Sequence, residues 1–420
     1  MSTPHPDPRR FLTGLFEAAV AAADPRQALA AHLPEMPQGR TVVIGAGKGA
    51  AQLARAFEDL WPGPCSGVVV TRYGYACPTR RIRVLEAAHP VPDAAGLVAA
   101  QALMAAVSGL GPQDLVVALI CGGGSALLPM PAGGLTLDDE ADLNRVLLAS
   151  GAPIGGMNAI RKQFSAIKGG RLALAAHPAR VVTLVVSDVP GDDPAQVASG
   201  PTLADATTRE DARQMLRDYR IDLPPRLHDH LAGEGAPAPL PDDPRLAGHR
   251  HSVIASARLS LEAAAQASGM PAAILSDSVE GEAADVGRVH AAILREIATR
   301  DRPFRRPVLL LSGGETTVSI RDGCGKGGRN SEFLLALALA AEGCRFHALA
   351  ADTDGIDGSE ANAGAFADGT TAARLRALGL SPRALLAGHD SWTAFDALGD
   401  LFQPGPTGTN VNDFRAVLLG

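Results

Sequence analysis

The feature that most restricts the fold is the run LVVALIC at Leu115–Cys121, which is apolar at every position. A second run of this kind, VVTLVVS, lies at Val181–Ser187. Strands without polar alternation are buried on both faces, as in parallel sheets that crossover helices cover on both sides. Segments with a helical pattern, such as Ala50–Leu60 and Asp93–Val107, separate the predicted strands. The first part of the chain is therefore predicted to be a Rossmann-like α/β domain with a parallel sheet in three layers.

A stretch rich in Pro, Gly and charge, residues 222–250, interrupts this alternation of strands and helices. Strands and helices resume after it, and 420 residues are too many for one ordinary core. We therefore expect an N-terminal Rossmann-like domain at 1–250, in which 222–250 is a linker or a surface excursion, and a smaller C-terminal α/β domain at 251–420. Two of the predicted helices are long, Asn158–Ala175 and Ala363–Leu378.

The overall composition narrows the class of protein. A formal charge of −7 without charged blocks argues against a nucleic-acid partner. No apolar run reaches the ~18 residues of a membrane span, and charges interrupt the apolar residues near the N-terminus, so that no convincing signal peptide is present. The five cysteines form no C-x-x-C pair, as is typical of reduced thiols. We expect a cytoplasmic protein with small-molecule partners, and a homodimer is compatible with the sequence.

Two glycine-rich loops follow predicted strands in the first half of the chain. The first is Gly45-Ala46-Gly47-Lys48-Gly49-Ala50, which matches the dinucleotide pattern G-x-G-x-x-[GA] and contains a lysine. The second is Gly122-Gly123-Gly124-Ser125. Such loops present backbone N–H groups to anions, and a fixed ammonium group suits a phosphoryl group in transfer. The loops indicate a phosphate site, although a tight turn with an exposed Lys48 remains an alternative.

A third glycine-rich region lies in the second half, at 309–332. An apolar run leads into Gly313-Gly314-Glu315, a second glycine turn carries Lys326 and Arg329, and a helical run follows. Glycines, two cations and a helix start at one place indicate a docking site for an anionic oxygen group, either phosphate or carboxylate.

Acidic residues follow two predicted strands. Asp188 stands directly at the end of one strand, and Asp193 belongs to the same acidic turn. Asp352 begins a D-x-D-x-x-D segment after another strand. Carboxylates at the carboxyl edge of a sheet often hold Mg²⁺ beside nucleotide phosphates. These three residues are metal candidates, and the sequence leaves solvated or Asx-type turns open.

Two further segments carry polar candidates. Lys162 lies among several cations in Asn158–Arg171 and can face a ligand, although surface charge explains it equally well. Asn410 belongs to the polar loop Gly405–Asp413, which can hydrogen-bond to ribose, phosphate or substrate hydroxyls.

Nine segments, in this order, resemble the glycerate 2-kinase family, whose C-terminal half is called the MOFRL domain. They span nearly the whole chain: GAGKGA at 45–50, AAHPVPDAAG at 87–96, CGGGSALLPMP at 121–131, NAIRKQFSAIKGGRLA at 158–173, SDVPGDDPAQVASGPT at 187–202, SGGETTV at 312–318, GKGGRNSE at 325–332, ADTDGIDG at 351–358 and GPTGTNVND at 405–413.

The resemblance implies ATP-dependent phosphorylation of D-glycerate at its 2-hydroxyl, with ATP and Mg²⁺, in a cleft between two α/β domains. The essential Lys and Arg of the family correspond to Lys48 and Arg329. Lys48 would neutralise phosphoryl charge, Arg329 would bind the substrate carboxylate or the γ-phosphate, and Glu315 or Asp352 would orient the hydroxyl. Nucleotide and substrate would contact residues of the same segments: Gly45, Gly47, Gly122, Gly123, Gly124, Ser125, Lys162, Glu315, Asn330 and Asn410.

Two other functions remain open from the sequence. Some members of the family are labelled hydroxypyruvate reductases; an NADPH-dependent reductase would use the loop at 45–50 with Arg72, and His89 as proton donor. A non-catalytic sensor of sugar acids or nucleotides would bind ligand without forming ADP, but the presence of Lys48, Arg329 and the acidic loops argues against it.

Overall fold

The structure is a computed structural model that describes residues 7–233, 237–320 and 325–420. These residues form two compact units. The first unit comprises residues 25–254, and in the second unit residues 7–24 join residues 255–420. Within the described ranges, no helix combines the length and the apolar character that crossing a membrane requires.

The elements of both units follow one another in chain order. The strands are β1 Thr41–Ala46, β2 Ser66–Arg72, β3 Ile82–Ala87, β4 Leu115–Cys121, β5 Arg180–Val186, β6 Arg250–Ala255, β7 Ala272–Glu282, β8 Val308–Thr317, β9 His347–Asp352, β10 Gly364–Asp368, β11 Leu401–Phe402 and β12 Asp413–Leu419. The helices are α1 Pro8–Ala22, α2 Pro25–Ala30, α3 Ala50–Leu60, α4 Ala94–Val107, α5 Gly124–Leu127, α6 Leu137–Ala149, α7 Ile154–Arg161, α8 Arg171–Ala175, α9 Arg209–Asp218, α10 Pro225–Ala232, α11 Ala257–Ala267, α12 Ala283–Arg300, α13 Arg329–Ala340, α14 Thr371–Ala377, α15 Pro382–Ala387 and α16 Ser391–Leu398.

The first unit is built on a six-stranded sheet with the order β3-β2-β1-β4-β5-β6. All neighbouring strands from β3 to β5 run parallel. This is the strand order of doubly wound nucleotide-binding folds, in which the chain reverses its direction across the sheet between β1 and β4. The predicted Rossmann-like parallel sheet is confirmed.

Both faces of this sheet are covered, as the apolar strands predict. On one face, α4 packs Ala99, Leu103 and Val107 into the same core as Val116, Ala118 and Ile120 of β4. The intervening residues of β4 are equally buried and point to the opposite face. There α3 packs against β1, β2 and β4, because right-handed crossovers in opposite directions place their helices on opposite faces.

Residues 222–250 differ from the expected linker. They contain α10, whose Leu227 and Leu231 are buried against Leu143 and Phe164 in a small core formed with α6, α7 and α9. Although the segment is rich in Pro and Gly, it contains a helix in which Leu227 and Leu231 are four residues apart and share one face. The segment is therefore a packed part of the first unit, and residues 234–236 lie outside the described residues.

The predicted helix Asn158–Ala175 is wrong in its middle. The helix α7 ends at Arg161, a 3₁₀ turn follows at Lys162–Phe164, and α8 begins only at Arg171. Gly169 and Gly170 have φ of +62° and +82°, a conformation that interrupts a right-handed helix. The apolar spacing continues across this interruption, which explains the error.

The second unit contains a mixed sheet with the order β11-β10-β9-β12-β8-β7. Only β7 and β8 are parallel among its paired neighbours in the described residues. Alternate residues of β8 point to opposite faces: Leu310 joins the core under α12 and α13, whereas Leu309 and Leu311 join the core under α1 and α11. The second α/β domain is confirmed.

The N-terminal helix belongs to the second unit, unlike the expected domain boundary at 1–250. The ring of Phe16 in α1 meets Phe402 at 5.0 Å and Phe414 at 5.9 Å between ring centroids. Leu12 and Leu15 are buried in the same core. The apolar stripe of this helix was visible in the sequence, but its partners lie several hundred residues further along the chain.

The predicted helix Ala363–Leu378 is also only partly correct. Its first part is the strand β10, which pairs with β9 and β11, and only α14 is helical. Gly364 lies so close to β9 that a Cβ would fall 1.8 Å from the carbonyl oxygen of Ala350. Alanine-rich sequence favours a helix by propensity, but pairing within the sheet determines the conformation here.

Candidate active site

Two glycine-rich loops of the first unit meet because they follow adjacent parallel strands, β1 and β4. The amide of Lys48 donates to the carbonyl oxygen of Gly122 at 2.9 Å, and the amide of Gly49 lies 3.2 Å from the sulfur of Cys121. Gly47 has φ +133°, and a Cβ there would lie 2.3 Å from the carbonyl oxygen of Cys121. This approach of the two loops therefore requires glycine at position 47.

The neighbouring glycines of both loops are also packed closely. A Cβ on Gly45 would lie 2.5 Å from the carbonyl oxygen of Leu119, and a Cβ on Gly124 would lie 2.6 Å from the Cβ of Ala198 and 3.1 Å from the carbonyl oxygen of Ala46. The first and the second glycine-rich loop therefore lie against each other.

Three side chains of different chemistry border the turn at Gly122 and Gly123. A Cβ on Gly122 would lie 2.1 Å from Oδ2 of Asp188, and a Cβ on Gly123 would lie 3.0 Å from Cγ of Lys48 and 3.1 Å from Nε2 of His89. An ammonium, an imidazole and a carboxylate group therefore surround one glycine turn. The turn lies where the strand order reverses, the position at which open α/β sheets bind ligands.

The protonation states around this turn follow from burial and from Lys48. Burial lowers the pKa of His89, and the positive charges of Lys48 and Arg72 lower it further, so that its imidazole is neutral at neutral pH. Burial raises the pKa of the Cys121 thiol to about 12, and Asp188 contributes to this rise. Cys121 is thus a neutral thiol that packs between the loops, whereas a reactive cysteine needs a lowered pKa.

Ser125 begins a chain of hydrogen-bonded side chains. Its hydroxyl and that of Ser199 are 2.8 Å apart, and Ser199 donates to Oδ1 of Asn158 at 2.9 Å. Nη1 of Arg161 donates to the same oxygen at 3.2 Å. Sequence reasoning did not single out Asn158, Ser199 or Arg161 for a role, although all three lie in segments that it recognised.

Lys162 is buried rather than a surface charge. Its side chain is only 1% exposed and forms an ion pair with Asp205. Burial lowers the pKa of Lys162, while Asp205 opposes this shift. The ammonium group therefore has its counter-charge inside the unit, and a ligand contact of Lys162 stays a prediction.

The three metal candidates differ in their surroundings. Asp188 borders the Gly122 turn. Asp193 is exposed and accepts a hydrogen bond from the amide of Ala195 at 3.0 Å, as in an Asx turn. Asp352 lies in the second unit. Within the described residues, no group of three or more histidine, cysteine or acidic side chains is arranged to hold a metal ion.

Among the three candidates, the carboxylate of Asp188 suits a Mg²⁺ ion that binds together with a nucleotide. Mg²⁺ keeps several waters and commonly takes one or two protein carboxylates together with substrate phosphates. A carboxylate beside a glycine turn and an ammonium group has this chemistry, whereas Asp193 accepts within a local turn and Asp352 is paired with Arg329.

Arg329 is the centre of a charge network in the second unit. Its Nε donates to Asp413 at 2.6 Å, its Nη1 to Glu315 at 3.0 Å and its Nη2 to Asp352 at 2.5 Å. Burial alone would lower the pKa of Arg329, but the charges of Asp413, Asp352 and Glu315 outweigh burial and raise it. Conversely, burial raises the pKa of Asp352, and Arg329 opposes this rise. The guanidinium is thus held by three carboxylates.

Asp413 was missed as an individual residue, although its segment was recognised. It is fully buried, and besides Arg329 it accepts from Nδ2 of Asn330 at 2.8 Å and from the amide of Thr316 at 3.2 Å. It also forms an ion pair with Arg415, which is completely buried and lies over the ring of Phe333. One carboxylate therefore pairs with two guanidinium groups.

Asn330 and Asn410, the two predicted amide contacts, have internal partners. The backbone amide of Asn330 donates to Oδ1 of Asp357 at 2.9 Å. Asp357 also accepts from the amide and the hydroxyl of Ser331, at 2.9 and 2.7 Å, and so caps α13. Asn410 accepts from the amide of Asn412 at 3.1 Å within its loop. Of the predicted glycine turn, Gly323 and Cys324 lie outside the described residues.

Comparisons with known proteins agree with this arrangement. A family model described as domain of unknown function (DUF4147) matches residues 11–232, and the MOFRL family model matches residues 308–413. A relative from Agrobacterium vitis named putative hydroxypyruvate reductase is 52% identical over 98% of this chain and 94% of its own. A glycerate 2-kinase from Pyrococcus horikoshii is 41% identical over 91% of this chain and 88% of its own.

Solved structures give the same result. The crystal structure of a glycerate kinase from Thermotoga maritima has a TM-score of 0.88 at 35% identity and covers 98% of this chain and 99% of its own. The crystal structure of a Pyrococcus horikoshii protein has a TM-score of 0.84 at 38% identity and covers 99% of both chains. The chain belongs to the glycerate 2-kinase family.

Proposed function

We propose that the protein transfers the γ-phosphoryl group of ATP to the 2-hydroxyl of D-glycerate, forming 2-phosphoglycerate and ADP. The observation that carries the proposal is the meeting of two glycine loops around Lys48 at the strand-order reversal of the first unit. Relatives with kinase names share this fold over nearly their whole length. The assignment of D-glycerate as the acceptor, of ATP as the donor and of the 2-hydroxyl as the position rests on the family.

The first unit supplies groups suited to a phosphoryl group in transfer. Lys48 provides a positive charge for oxygens whose negative charge spreads in the transition state. Asp188 would hold Mg²⁺, which when bound neutralises and bridges the phosphates of the nucleotide. Gly122 and Gly123 leave room beside both side chains, because any Cβ at these positions would collide with them.

The hydroxyl that attacks must also lose its proton. His89 borders the same glycine as Lys48 and is neutral at neutral pH because its pKa is lowered, so it can accept a proton. Glu315 and Asp352, which the sequence suggested for orienting the hydroxyl, are both bound to Arg329. We therefore assign the proton acceptor to His89.

Arg329 stays in the proposal as a group that stabilises charge. It is about a quarter exposed, with 24% of its side chain accessible, and its guanidinium has N–H donors beyond the three that the carboxylates take. Those donors can bind a phosphate oxygen or a carboxylate oxygen of the substrate.

The test is to incubate the purified protein with ATP, Mg²⁺ and D-glycerate and to identify the product by ³¹P and ¹³C NMR. Formation of 2-phosphoglycerate supports the activity and its regiochemistry together, and 3-phosphoglycerate would refute the regiochemistry. Absence of any phosphorylated product, together with oxidation of NADPH that depends on hydroxypyruvate, would favour the reductase that the names of some relatives suggest.

Variants then test the assigned groups. Lys48→Ala and His89→Asn should each lower kcat by about 10²-fold or more, as expected for a lost charge or a lost general base. Arg145→Gln is the control, because Arg145 is exposed and pairs with Asp142 one helical turn away. If kcat of the Lys48 or His89 variant stays within about threefold of the control, that residue has no part in the transfer.

A further inference from the structure

The segment from Arg161 to Arg171 carries four cations, and the structure separates them by the partners that they find. Lys162 pairs with Asp205, and Lys168 pairs with Glu140 at 2.6 Å. Both ammonium groups are buried, and their charges are neutralised inside the unit. Nη1 of Arg171 donates to the carbonyl oxygen of Lys162 at 2.8 Å. Each of these three cations therefore already serves the local fold.

Arg161 is different because its hydrogen-bond partners in the described residues are neutral side chains. Its Nε donates to Oδ1 of Asn144 at 2.9 Å, and its Nη1 donates to Oδ1 of Asn158 at 3.2 Å. Among residues 7–233, 237–320 and 325–420, no carboxylate oxygen lies within 4 Å of its guanidinium. Burial lowers the pKa of Arg161, and only the more distant charge of Glu140 opposes this.

A partly buried guanidinium without a counter-charge is costly, because the loss of hydration is not repaid by an ion pair. The two amide oxygens fix the orientation of the group but leave its charge uncompensated. Within the described ranges, the Nη2 nitrogen and the second hydrogen of Nη1 donate to no protein acceptor, and together they form the edge of the guanidinium that binds a carboxylate in a bidentate manner.

Arg161 is also connected to the glycine loops. Asn158, which fixes Arg161, accepts from Ser199, and Ser199 is hydrogen-bonded to Ser125. Ser125 directly follows Gly124, one of the glycines packed against the loop that contains Lys48. A small acid whose carboxylate rests on Arg161 thus has hydroxyl partners between Arg161 and the proposed phosphoryl site.

We propose that Arg161 binds the carboxylate of the acceptor, and that Ser125 and Ser199 hydrogen-bond to its hydroxyl groups. The proposal rests on the proposed kinase function and assigns its specificity for acidic acceptors. Arg161 then takes the place of Lys162 as the cation of this segment that contacts a ligand. Arg329, which three carboxylates of its own unit already hold, is then not needed to bind the carboxylate of the acceptor.

The experiment compares two acceptors that differ at one group, D-glycerate with its carboxylate and D-glyceramide with a neutral amide. In the wild type, kcat/KM for D-glycerate should exceed that for D-glyceramide by about 10²-fold or more, the value of two charge-assisted hydrogen bonds. Arg161→Gln should lower kcat/KM for D-glycerate to nearly that for D-glyceramide, while KM for ATP is unchanged. Arg145→Gln is the matched control and should keep the wild-type preference.

The outcomes separate this inference from the proposed function. If the wild type forms no phosphorylated product, the kinase function and the inference both fail. If the wild type phosphorylates D-glycerate but Arg161→Gln keeps the preference, or loses activity equally towards both acceptors, only the inference fails. Should Arg161→Gln not fold, Arg161→Lys is measured instead. Lysine keeps the charge but not the bidentate edge, so a preference reduced by about tenfold is expected, and an unchanged preference would overturn the inference.

Discussion

Asp413 should contribute a large part of the stability of the second unit, since its carboxylate is wholly buried between Arg329 and Arg415. Two unit charges about 4 Å apart attract by about 4 kcal/mol at the effective dielectric of a protein. The two guanidinium groups thus give a gross attraction of about 8 kcal/mol. Asp413→Asn removes this charge but keeps the size of the side chain and avoids the cost of burying a carboxylate. We expect a net loss of about 3–5 kcal/mol in the free energy of unfolding, as when a buried ion pair loses one partner.

The assay is urea unfolding followed by tryptophan fluorescence. Trp392 lies in the second unit and Trp61 in the first, so a Trp61→Phe background isolates the signal of the second unit, which need not unfold together with the first. Asp354→Asn is the control, because Asp354 is less buried and its Oδ1 accepts a local hydrogen bond from the amide of Ile356; its loss should stay below about 1 kcal/mol. A similarly small loss for Asp413→Asn would refute the view that this carboxylate stabilises both cations.

Two further predictions concern backbone strain and pH. Gly47→Ala should lower kcat/KM by at least about tenfold, since a left-handed φ costs about 1–3 kcal/mol and the new Cβ would meet Cys121; Gly49→Ala, with φ −98° and its nearest neighbour at 3.7 Å, should stay within about twofold. Equal effects of the two substitutions, measured by product formation, would contradict the steric argument. His290 is buried, and burial lowers its pKa to about 4, while the unfolded chain titrates near 6.5. Between these values the unfolded state binds more protons, so the free energy of unfolding should fall by about 3 kcal/mol as the pH drops from about 6.5 to about 4. Urea unfolding across this range should show a shallower pH dependence in His290→Asn, and identical slopes would refute the assignment.

The first sheet could be predicted because its elements are bounded by strong local signals. β4 and α3 begin and end at the predicted residues, Leu115–Cys121 and Ala50–Leu60. Each is an apolar or amphipathic run beside glycine, so that local composition alone determines both the type and the limits of the element. The two glycine loops then had to meet, because β1 and β4 end at the same edge of a parallel sheet.

The charged residues of the candidate site were harder to predict for a physical reason. Arg161 and Lys162 are neighbours in the sequence, and which of them is neutralised depends on Asp205, whose position only the tertiary fold determines. In the same way, the carboxylates around Arg329 include Asp413, which is far along the chain. A sequence motif identifies the segment that carries a charge, but long-range packing decides whether that charge remains available to a ligand.

The placement of α1 affects the order in which the protein can complete its folding on the ribosome. The apolar stripe of this helix emerges before the first unit, yet the rings that cover Phe16, those of Phe402 and Phe414, emerge after that unit. At a synthesis rate of about 5–20 residues per second, the stripe waits roughly 20–80 s for its partners. During this time the whole first unit, residues 25–254, is synthesised and can fold. A nascent chain released early would therefore carry a finished nucleotide-type sheet together with an exposed hydrophobic helix, the kind of segment that chaperones bind.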